Sequence, residues 1–478
     1  MNVHVEIDEI DAATRQPAAT TRDLFAAGRP RSADIHLFES DGSQHLFVVN
    51  GSRVFDVEPQ LFAQLGAAIS SNQVGEVLAR IGVADPPLID DVPLSPPPVH
   101  ALSLAVAQKC NLGCTYCYAQ QGAFGGEAKN MSLETANRAV DLLLSQAGDG
   151  GKANLAFLGG EPLVNRPVIQ AVTRRAAALA ESRGIALSFS ITTNGTLLTQ
   201  TDATFFEAYG FAVTVSLDGP RELHDKLRPY KGGAGSFDRI MRNLQPLLAQ
   251  QRRMQVSARV TVTPDNIDLR RTLDEFIAAG FHSVGFSPML SAPGHQGELQ
   301  AADLAPMLEG MVDCGRAFEE RLVAGDRYRF ANMVNAMREI HRGTHRPYPC
   351  GAGAGYFGVS ADGDLAACHR FVGDAEGAMG SVESIDRDRQ TRWLAERHVH
   401  RQTPCSQCWA RYLCGGGCHH ETISRGRPAC EYIRGWLLYC LTAYLRLSRQ
   451  RPDWFDASAP AGLDLFVTGP LRSTRAHQ

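Results

Sequence analysis

Hydrophobic and polar positions change their spacing three times along this chain. Between residues 34 and 57 short apolar runs are broken at "SDGS" and "VNGS", a pattern of strands and turns. The second break holds Asn-Gly, whose tolerance of positive φ predicts a two-residue hairpin there. Two amphipathic stretches follow, "EPQLFAQLGAAI" and "QVGEVLARIGV", and then "DPPLIDDVPLSPPP", whose prolines deny backbone donors and force an extended linker over 86–98. From 102 to about 290, apolar runs ("LSLAVA", "NLAFL", "LSFSI", "AVTVSL", "QVSARVTV", "SVGFS") alternate with helical stretches. The runs read as continuous rather than alternating, as strands buried on both faces should be. In "LETANRAVDLLLSQA", Leu133, Ala136, Val140, Leu143 and Leu144 share a stripe, and "FDRIMRNLQPLLAQ" behaves similarly apart from its proline.

Six such units predict an α/β fold built on a partial parallel (β/α)6 barrel, with a small N-terminal α+β domain before it. From about 345 to 440 the pattern dissolves into cysteine, glycine and short turns. The expected division is 1–85 for the N-terminal domain, 86–98 for the linker, 99–325 for the barrel, 326–448 for a cysteine-rich domain and 449–478 for a tail.

Composition narrows the function. Hydrophobic residues are 44% and charged residues 21% of 478, with net charge −4, so no global basic field draws the chain to nucleic acid or anionic lipid. Arg446, Arg449, Arg451, Arg472 and Arg475 read as a solvated tail. The opening "MNVHVEIDEIDAATRQP" lacks the basic flank and apolar core of a secretory signal, and no run of eighteen apolar residues exists. "GWLLYCLTAYLRL" reads as an amphipathic helix. A cytoplasmic location is expected, and in that reducing compartment twelve cysteines call for metal or reactivity rather than disulfides.

The sharpest chemical signal is "CNLGCTYCYA", with Cys110, Cys114 and Cys117 just after the first barrel strand. A four-iron cube ordinarily takes four protein thiolates, so three leave one iron open to a small chelating molecule. The polar and glycine-rich segments "GGEPL", "TTNGT" and "SLDG" also follow strands, where barrel enzymes keep their chemistry. In "GGEPL", Gly159 and Gly160 would let backbone approach a ligand closely, and Glu161 offers a carboxylate to an ammonium. Bland readings stand beside these: half a zinc site, ordinary turns, and an Arg259 on a surface strand.

C-x3-C-x2-C with an aromatic before the last cysteine, followed by "GGEP" and "TTNG", resembles the radical S-adenosylmethionine superfamily from Ala101 onward. The resemblance implies a 4Fe-4S cluster on the three cysteines and S-adenosyl-L-methionine on its open iron, cleaved to a 5'-deoxyadenosyl radical. It also implies Glu161 as the amino-group contact, with Tyr116, Asn194, Gly195, Ser216, Asp218 and Arg259 about the cofactor.

A second cysteine field holds Cys350, Cys368, Cys405, Cys408, Cys414, Cys418 and Cys430. The series C-x12-G-x4-C, C-x2-C-x5-C-x3-C, then C resembles the SPASM extension of peptide-modifying radical enzymes, which holds auxiliary 4Fe-4S clusters. That resemblance implies one auxiliary cluster on Cys405, Cys408, Cys414 and Cys430, and a second on Cys350, Cys368 and Cys418. The second set is one ligand short. A histidine (His341 or His345), Cys440 or a substrate thiolate would complete it, and zinc remains the other metal that C-x2-C pairs bind. Cys314 and Cys440 read as core residues on helices.

The N-terminal hairpin and helices are similar in layout to small peptide-recognition domains, which add an extended peptide as a strand; a purely structural extension is the alternative. "LRPYKGGAGSFDRI", the stretch from "HRGTHRPYP" to "HRFVGD", and "LCGGGCHHE" resemble the maturases of quinohemoprotein amine dehydrogenase. This implies thioether bonds between cysteine sulfur and Asp or Glu methylene carbons in that dehydrogenase's small subunit, and an external electron donor. Asp238 is the candidate base and Asp218 its reserve. The alternative for Asp238 is a first-turn acid behind an N-cap Ser236. Competing functions are another SPASM maturase, such as one oxidising a sulfatase Cys or Ser, and a non-catalytic iron-sulfur or zinc protein.

Overall fold

The computed structural model describes residues 20–456. An antiparallel sheet opens it, with β1 (Ile35–Ser40), β2 (Ser43–Val48) and β3 (Arg53–Val57) in that order. Ser40 pairs with Ser43, so the two-residue hairpin is Asp41-Gly42, with φ of 52° and 76°. The Asn-Gly turn is longer than expected: Val48 pairs with Arg53 across residues 49–52, and positive φ falls on Gly51 and Ser52. The physical reason lies in the Asn50 side chain, which is occupied by the linker. Its Nδ2 donates to the Asp85 and Pro86 carbonyls at 3.1 and 3.0 Å, and its Oδ1 accepts from the Leu88 N–H at 3.0 Å. The helices Pro59–Ser71 and Val74–Arg80 close a separate core around Ile35, Leu46, Val48, Leu65 and Leu78. Among the described residues β3 has no strand partner on its far edge.

The second sheet contains β4 (Ala101–Gln108), β5 (Lys129–Asn130), β6 (Lys152–Gly159), β7 (Ala186–Thr193), β8 (Ala212–Ser216), β9 (Gln255–Val262), β10 (Ser283–Pro288), β11 (Tyr356–Val359), β12 (Asp364–Ala366) and β13 (Ala378–Ser381). Its order is β10-β9-β8-β7-β6-β4-β11-β12-β13, with β5 beside β4. The six expected strands, β4 and β6 to β10, run parallel. The helices Leu133–Ala147, Arg166–Ser182, Gln200–Tyr209, Phe237–Ala249 and Leu269–Ala278 connect them. The cysteine-rich region is more ordered than its composition suggests: β11 runs parallel to β4, and β12 and β13 extend the same sheet antiparallel.

Two expectations about burial change. The barrel strands are not uniformly buried: in β9 Val256, Ala258, Val260 and Val262 are buried, while Gln255, Ser257, Arg259 and Thr261 alternate with them. The alternating set shares its face with Thr214 and Ser216 of β8 and with Ser283 and Gly285 of β10. The inner face is therefore lined by small polar side chains around Arg259, as suits an open barrel that receives ligands. In the helix Leu133–Ala147, Leu133 is 44% exposed at the first turn, and Thr135 and Ala139 join the buried stripe instead.

The arginines near the end are not a solvated tail. Arg446 pairs with Glu319 at 2.8 Å and with Asp41 of the first hairpin at 3.3 Å, and Arg449 pairs with Asp56 of β3. Arg451 pairs with Asp453 at 2.7 Å, and Arg472 and Arg475 lie outside the described residues. Arg446 and Arg449 belong to the helix Cys430–Gln450, which carries the predicted amphipathic stretch. Among the described residues no helix is long and apolar enough to cross a membrane. Cys314 and Cys440 are fully buried helix residues.

Candidate functional site

The cysteine triplet occupies the loop that leaves β4, and its backbone is stitched on both sides. Gly113 N–H donates to Pro229 O at 2.8 Å, Thr115 N–H to Leu227 O at 3.3 Å, and Lys231 N–H to Asn111 O at 3.3 Å, with a bridge between Leu112 and Tyr230. On the other side Gly160 N–H donates to Ala107 O at 2.8 Å and Glu161 N–H to Lys109 O at 3.0 Å. A Cβ on Gly160 would lie 2.4 Å from Lys109 O, and one on Gly159 2.2 Å from Ala107 O. The backbone that approaches these glycines so closely is the protein's own cysteine loop, a different use from the ligand approach expected of them.

Glu161 is fully buried in a nest of donors. Its Oε1 accepts from Leu163 N–H at 3.0 Å and from Thr193 Oγ1 at 2.7 Å, and its Oε2 accepts from Asn194 N–H at 2.7 Å. Burial raises the Glu161 pKa above the usual carboxylate range against the pull of these bonds and of Arg228. The carboxylate thus lacks a full counter-charge, which a ligand ammonium would supply. Asn194 joins it to the cysteines: its Nδ2 donates to Asn111 Oδ1 at 2.9 Å and reaches Cys110 Sγ at 3.6 Å. Gly195 takes φ of 79°, and a Cβ there would stand 2.8 Å from Ile240 Cγ2, so the turn requires glycine. Ser216 and Arg259 are register partners on the inner face; Arg259 is exposed there, with no ion pair among the described residues.

Asp218 and Tyr116 form a second buried knot. Tyr116 OH donates to Asp218 Oδ2, and Arg228 Nη1 donates to Tyr116 OH at 2.6 Å and lies 3.5 Å from the same carboxylate oxygen. Thr261 N–H donates to Asp218 Oδ1 at 2.9 Å. Burial raises the Asp218 pKa, with Arg228 the chief opposing influence. Asp218 therefore has its oxygens committed inside the protein, which suits a positioning role better than that of a reserve base.

Asp238, the first candidate base, is not brought to this cluster. Its side chain is 54% exposed and pairs with Arg221 at 2.6 Å, as a first-turn acid on a surface helix does. Ser236 occupies the N-cap position as expected, but its side chain makes no capping hydrogen bond. The Ser236 hydroxyl donates to Arg228 O at 2.7 Å, and Asp225 Oδ1 takes the Ser236 and Phe237 N–H groups at 2.7 and 2.8 Å.

All twelve cysteines are free thiols, and electrostatics sorts ten of them into three sets. Cys110, Cys114 and Cys117 act on one another; burial pushes the Cys114 thiol up to about 12, with Arg228 opposing. Cys350, Cys368 and Cys418 likewise act on one another; burial pushes Cys350 up to about 11 and Cys368 to about 12, with Arg346 and Arg370 opposing. Cys405, Cys408, Cys414 and Cys430 form the third set, with Arg427 and Arg434 beside them. Together with Cys418 they line one cavity of about 60 Å³. Among the described residues no three or more His, Cys, Asp or Glu side chains converge closely enough to hold one metal ion between them. Partly buried thiols gathered in sets, each with arginine at its flank, fit anionic iron-sulfur clusters that need thiolate ligands and a nearby positive charge.

Of the three side chains that could supply a fourth ligand for Cys350, Cys368 and Cys418, two are engaged elsewhere, while the buried Nε2 of His345 has no hydrogen-bond partner. His341 Nδ1 is 3.2 Å from Tyr444 OH, His345 Nδ1 is 3.4 Å from Ser52 Oγ, and Cys440 is fully buried among helix residues beside Glu319 and Tyr432. Sequence reasoning missed the residues between the first two thiol sets. Tyr118 acts electrostatically with both Cys117 and Cys368, and Arg370 lies 5.5 Å from its ring centroid. Arg370 Nη1 donates to Glu421 Oε1 at 2.7 Å and reaches Cys418 Sγ at 3.9 Å. It also missed Arg228, whose only sequence signal is a charge enclosed between Leu227 and Pro229.

A family model described as the Radical SAM superfamily matches residues 104–277. A serine-type anaerobic sulfatase-maturating enzyme of Klebsiella aerogenes is 26% identical over 357 residues, 72% of this chain and 85% of its own length. A cysteine-type enzyme of the same description from Clostridium novyi (strain NT) is 27% identical over 340 residues, covering 66% of this chain and 86% of that one. Among solved structures, native anSMEcpe with bound AdoMet and Cp18Cys peptide has the same fold, with TM-score 0.60 and 20% identity over 74% of this chain and 99% of that one.

Proposed function

We propose that this chain, a radical S-adenosylmethionine enzyme by its match to that superfamily, oxidatively modifies a side chain within a polypeptide. The observation that carries the reading is the convergence of Cys110, Cys114 and Cys117 with the buried carboxylate of Glu161 and the Asn194 turn, at the ends of parallel strands. Cys110, Cys114 and Cys117 would hold a 4Fe-4S cluster, and S-adenosyl-L-methionine bound there would supply hydrogen-abstraction chemistry toward a substrate carbon. Glu161 accepts the cofactor's ammonium, because its charge is otherwise only partly offset. Arg259 faces the cofactor's carboxylate from the inner wall, and Tyr116 with Ser216 bounds the nucleoside. Apolar strands behind the polar inner face keep bulk water from the reacting carbon. The two further thiol sets would hold auxiliary clusters, which would supply electron-accepting chemistry, and the first site would require an external electron donor.

The sulfatase-maturating relatives support oxidation of a Cys or Ser side chain as the first specific reading. One observation favours a second, thioether formation: Cys350, Cys368 and Cys418 stand as a set of three with His341 and Cys440 engaged elsewhere, which leaves the unpartnered Nε2 of His345 as the competing ligand. A substrate cysteine thiolate is the ligand such a site prefers, and holding it there would aim sulfur at a carbon-centred radical. The small subunit of quinohemoprotein amine dehydrogenase rests on short resembling stretches alone; the relatives support a polypeptide, and the open edge of β3 suits an extended one added as a strand.

The test incubates the anaerobically reconstituted full chain with S-adenosylmethionine, dithionite and peptides that carry Cys near Asp or Glu, or Ser in place of Cys. Release of 5'-deoxyadenosine with peptide oxidation is the expected result. Fragmentation separates a linear oxidised residue from a cross-link that resists backbone sequencing. A reduced, iron-loaded chain that releases no 5'-deoxyadenosine would overturn the radical reading. Release without change in any peptide would overturn the polypeptide reading.

A further inference from the structure

Between β8 and the helix Phe237–Ala249, residues 217–236 fold into a strap whose polar contacts converge on the cysteine loop. His224 is fully buried: its Nδ1 accepts from Asp218 N–H at 3.3 Å, and its Nε2 lies 3.0 Å from Ser236 Oγ. Ser236 Oγ in turn donates to Arg228 O at 2.7 Å, and Asp225 fastens the far end through the Ser236 and Phe237 N–H groups. So braced, the strap presents the carbonyls of Leu227 and Pro229 to the cysteine loop as a short ladder.

Arg228 points inward from this ladder. Its side chain is 11% exposed, Nη1 meets Tyr116 OH and Asp218, and the buried Nε has no partner. Tyr116 stands between Cys114 and Cys117 in the loop, so the guanidinium grips the cysteine loop by a side chain as well as by backbone. Its charge acts on Cys110, Cys114 and Glu161 alike. Asp218 offsets part of that charge but keeps one oxygen on Thr261 N–H.

We infer that Arg228 is a positioning residue for the first cluster, fixing the Tyr116 ring through the Asp218 knot and holding one positive charge near the cysteine loop. The inference rests on the reading that Cys110, Cys114 and Cys117 hold a cluster with an open iron. A cation close to a cluster stabilises its reduced, more negative form, and in a buried site that influence is only weakly screened. Loss of the charge therefore disfavours reduction at this cluster alone. Lysine retains the charge but not the fork that reaches Tyr116 and Asp218 together.

The experiment is a potentiometric titration of the full, anaerobically reconstituted chain. Electron paramagnetic resonance is recorded with and without S-adenosylmethionine, so that the first cluster is recognised by its response to the cofactor. Arg228→Met is expected to lower the reduced-to-oxidised ratio of that cluster at fixed potential by about tenfold, or about 59 mV for one electron. The auxiliary signals should stay in place, and Arg228→Lys should recover most of the shift. An Arg228→Met cluster that titrates with the wild type, or Lys and Met variants that shift equally, would overturn the inference. Should the Met variant lose its auxiliary clusters through misfolding, Tyr116→Phe decides: a smaller shift of the same sign supports the inference, and no shift overturns it. A wild-type chain with no cofactor-responsive cluster would instead defeat the underlying reading, and so the two failures are distinct.

Discussion

Replacing Glu161 by Gln removes one charge and alters few atoms, so its consequences follow from the hydrogen bonds already described. The amide oxygen takes the Oε1 place and keeps Leu163 N–H and Thr193 Oγ1. The amide nitrogen then falls where Oε2 accepts from Asn194 N–H at 2.7 Å, setting a donor against a donor. A charge-assisted bond contributes about 1.5–3 kcal/mol. One such bond to Asn194 is lost in the free protein, and a second, to the cofactor's ammonium, is lost in the complex. The second loss alone weakens S-adenosylmethionine by about tenfold to 150-fold. Equilibrium binding under anaerobic conditions measures it directly. A pH series adds a second readout. Because burial raises the Glu161 pKa, wild-type affinity for a cation falls as pH drops through a value above the usual carboxylate range; Glu161→Gln should be flat across that interval. Affinity for the variant within about twofold of wild type, with an unchanged pH profile, would refute the assignment of the ammonium to this carboxylate.

Two further outcomes follow from the thiol sets and from the N-terminal sheet. Cys408→Ala and Cys368→Ala should each remove one auxiliary cluster, taking iron from about twelve to about eight atoms per chain, and their double variant should remove both. Cys314→Ala and Cys440→Ala should leave iron unchanged, and iron and sulfide analysis reads all of these. His36 is 4% exposed and burial lowers its pKa from 6.5 to about 3, with Arg31 adding to the effect. Between those values the unfolded chain binds a proton that the folded chain does not, so this contribution is full above pH 6.5 and falls away as pH drops toward 3. His36→Phe should reduce the loss between pH 7 and pH 5 by about 2 kcal/mol in denaturant titrations, and an equal loss in both proteins would count against the burial argument.

The barrel was legible because its signals are local: apolar runs of strand length, amphipathic helices between them, and glycine-rich segments after the strands. The expected grouping of the later cysteines came from the resemblance, with Cys405, Cys408 and Cys414 in one short stretch and Cys430 at the start of the helix Cys430–Gln450. What escaped depends on contacts between distant segments. Arg228 reaches Tyr116 across 112 positions, and Arg370 reaches Ser291 O across 79. Neither pairing leaves a periodic trace. Asp238 misled because a carboxylate at a helix start looks the same in sequence whether its helix faces the site or the solvent. The Asn-Gly turn misled for a related reason: Asn50 is used for its side chain, which ties down the linker, rather than for its tolerance of positive φ.

That linker bears on how the N-terminal sheet is held. Prolines alone suggest a stiff but free spacer, yet the segment is fastened along its length. Arg53 pairs with Asp85 at 2.8 Å, His400 with Asp91 at 2.7 Å, and Leu94 N–H donates to Tyr348 OH at 3.4 Å. These contacts, like Arg446 with Asp41 and Arg449 with Asp56, are partly exposed, and such pairs contribute about 0–1 kcal/mol each. Trp409 works on another scale. It is fully buried, stacks on His36 with centroids 4.2 Å apart and planes 8° from parallel, and donates its indole N–H to Gly28 O at 2.8 Å. An aromatic side chain that buries about 150–250 Å² contributes about 4–6 kcal/mol at 25 cal/mol per Å². Trp409 does not act alone, because Phe38, Phe47 and Val49 of the sheet region are buried in the same main core. The sheet is therefore held chiefly by apolar burial, with the partly exposed ion pairs adding little. Trp409 directly follows Cys408, so part of that contact is made by the loop that carries one of the thiol sets.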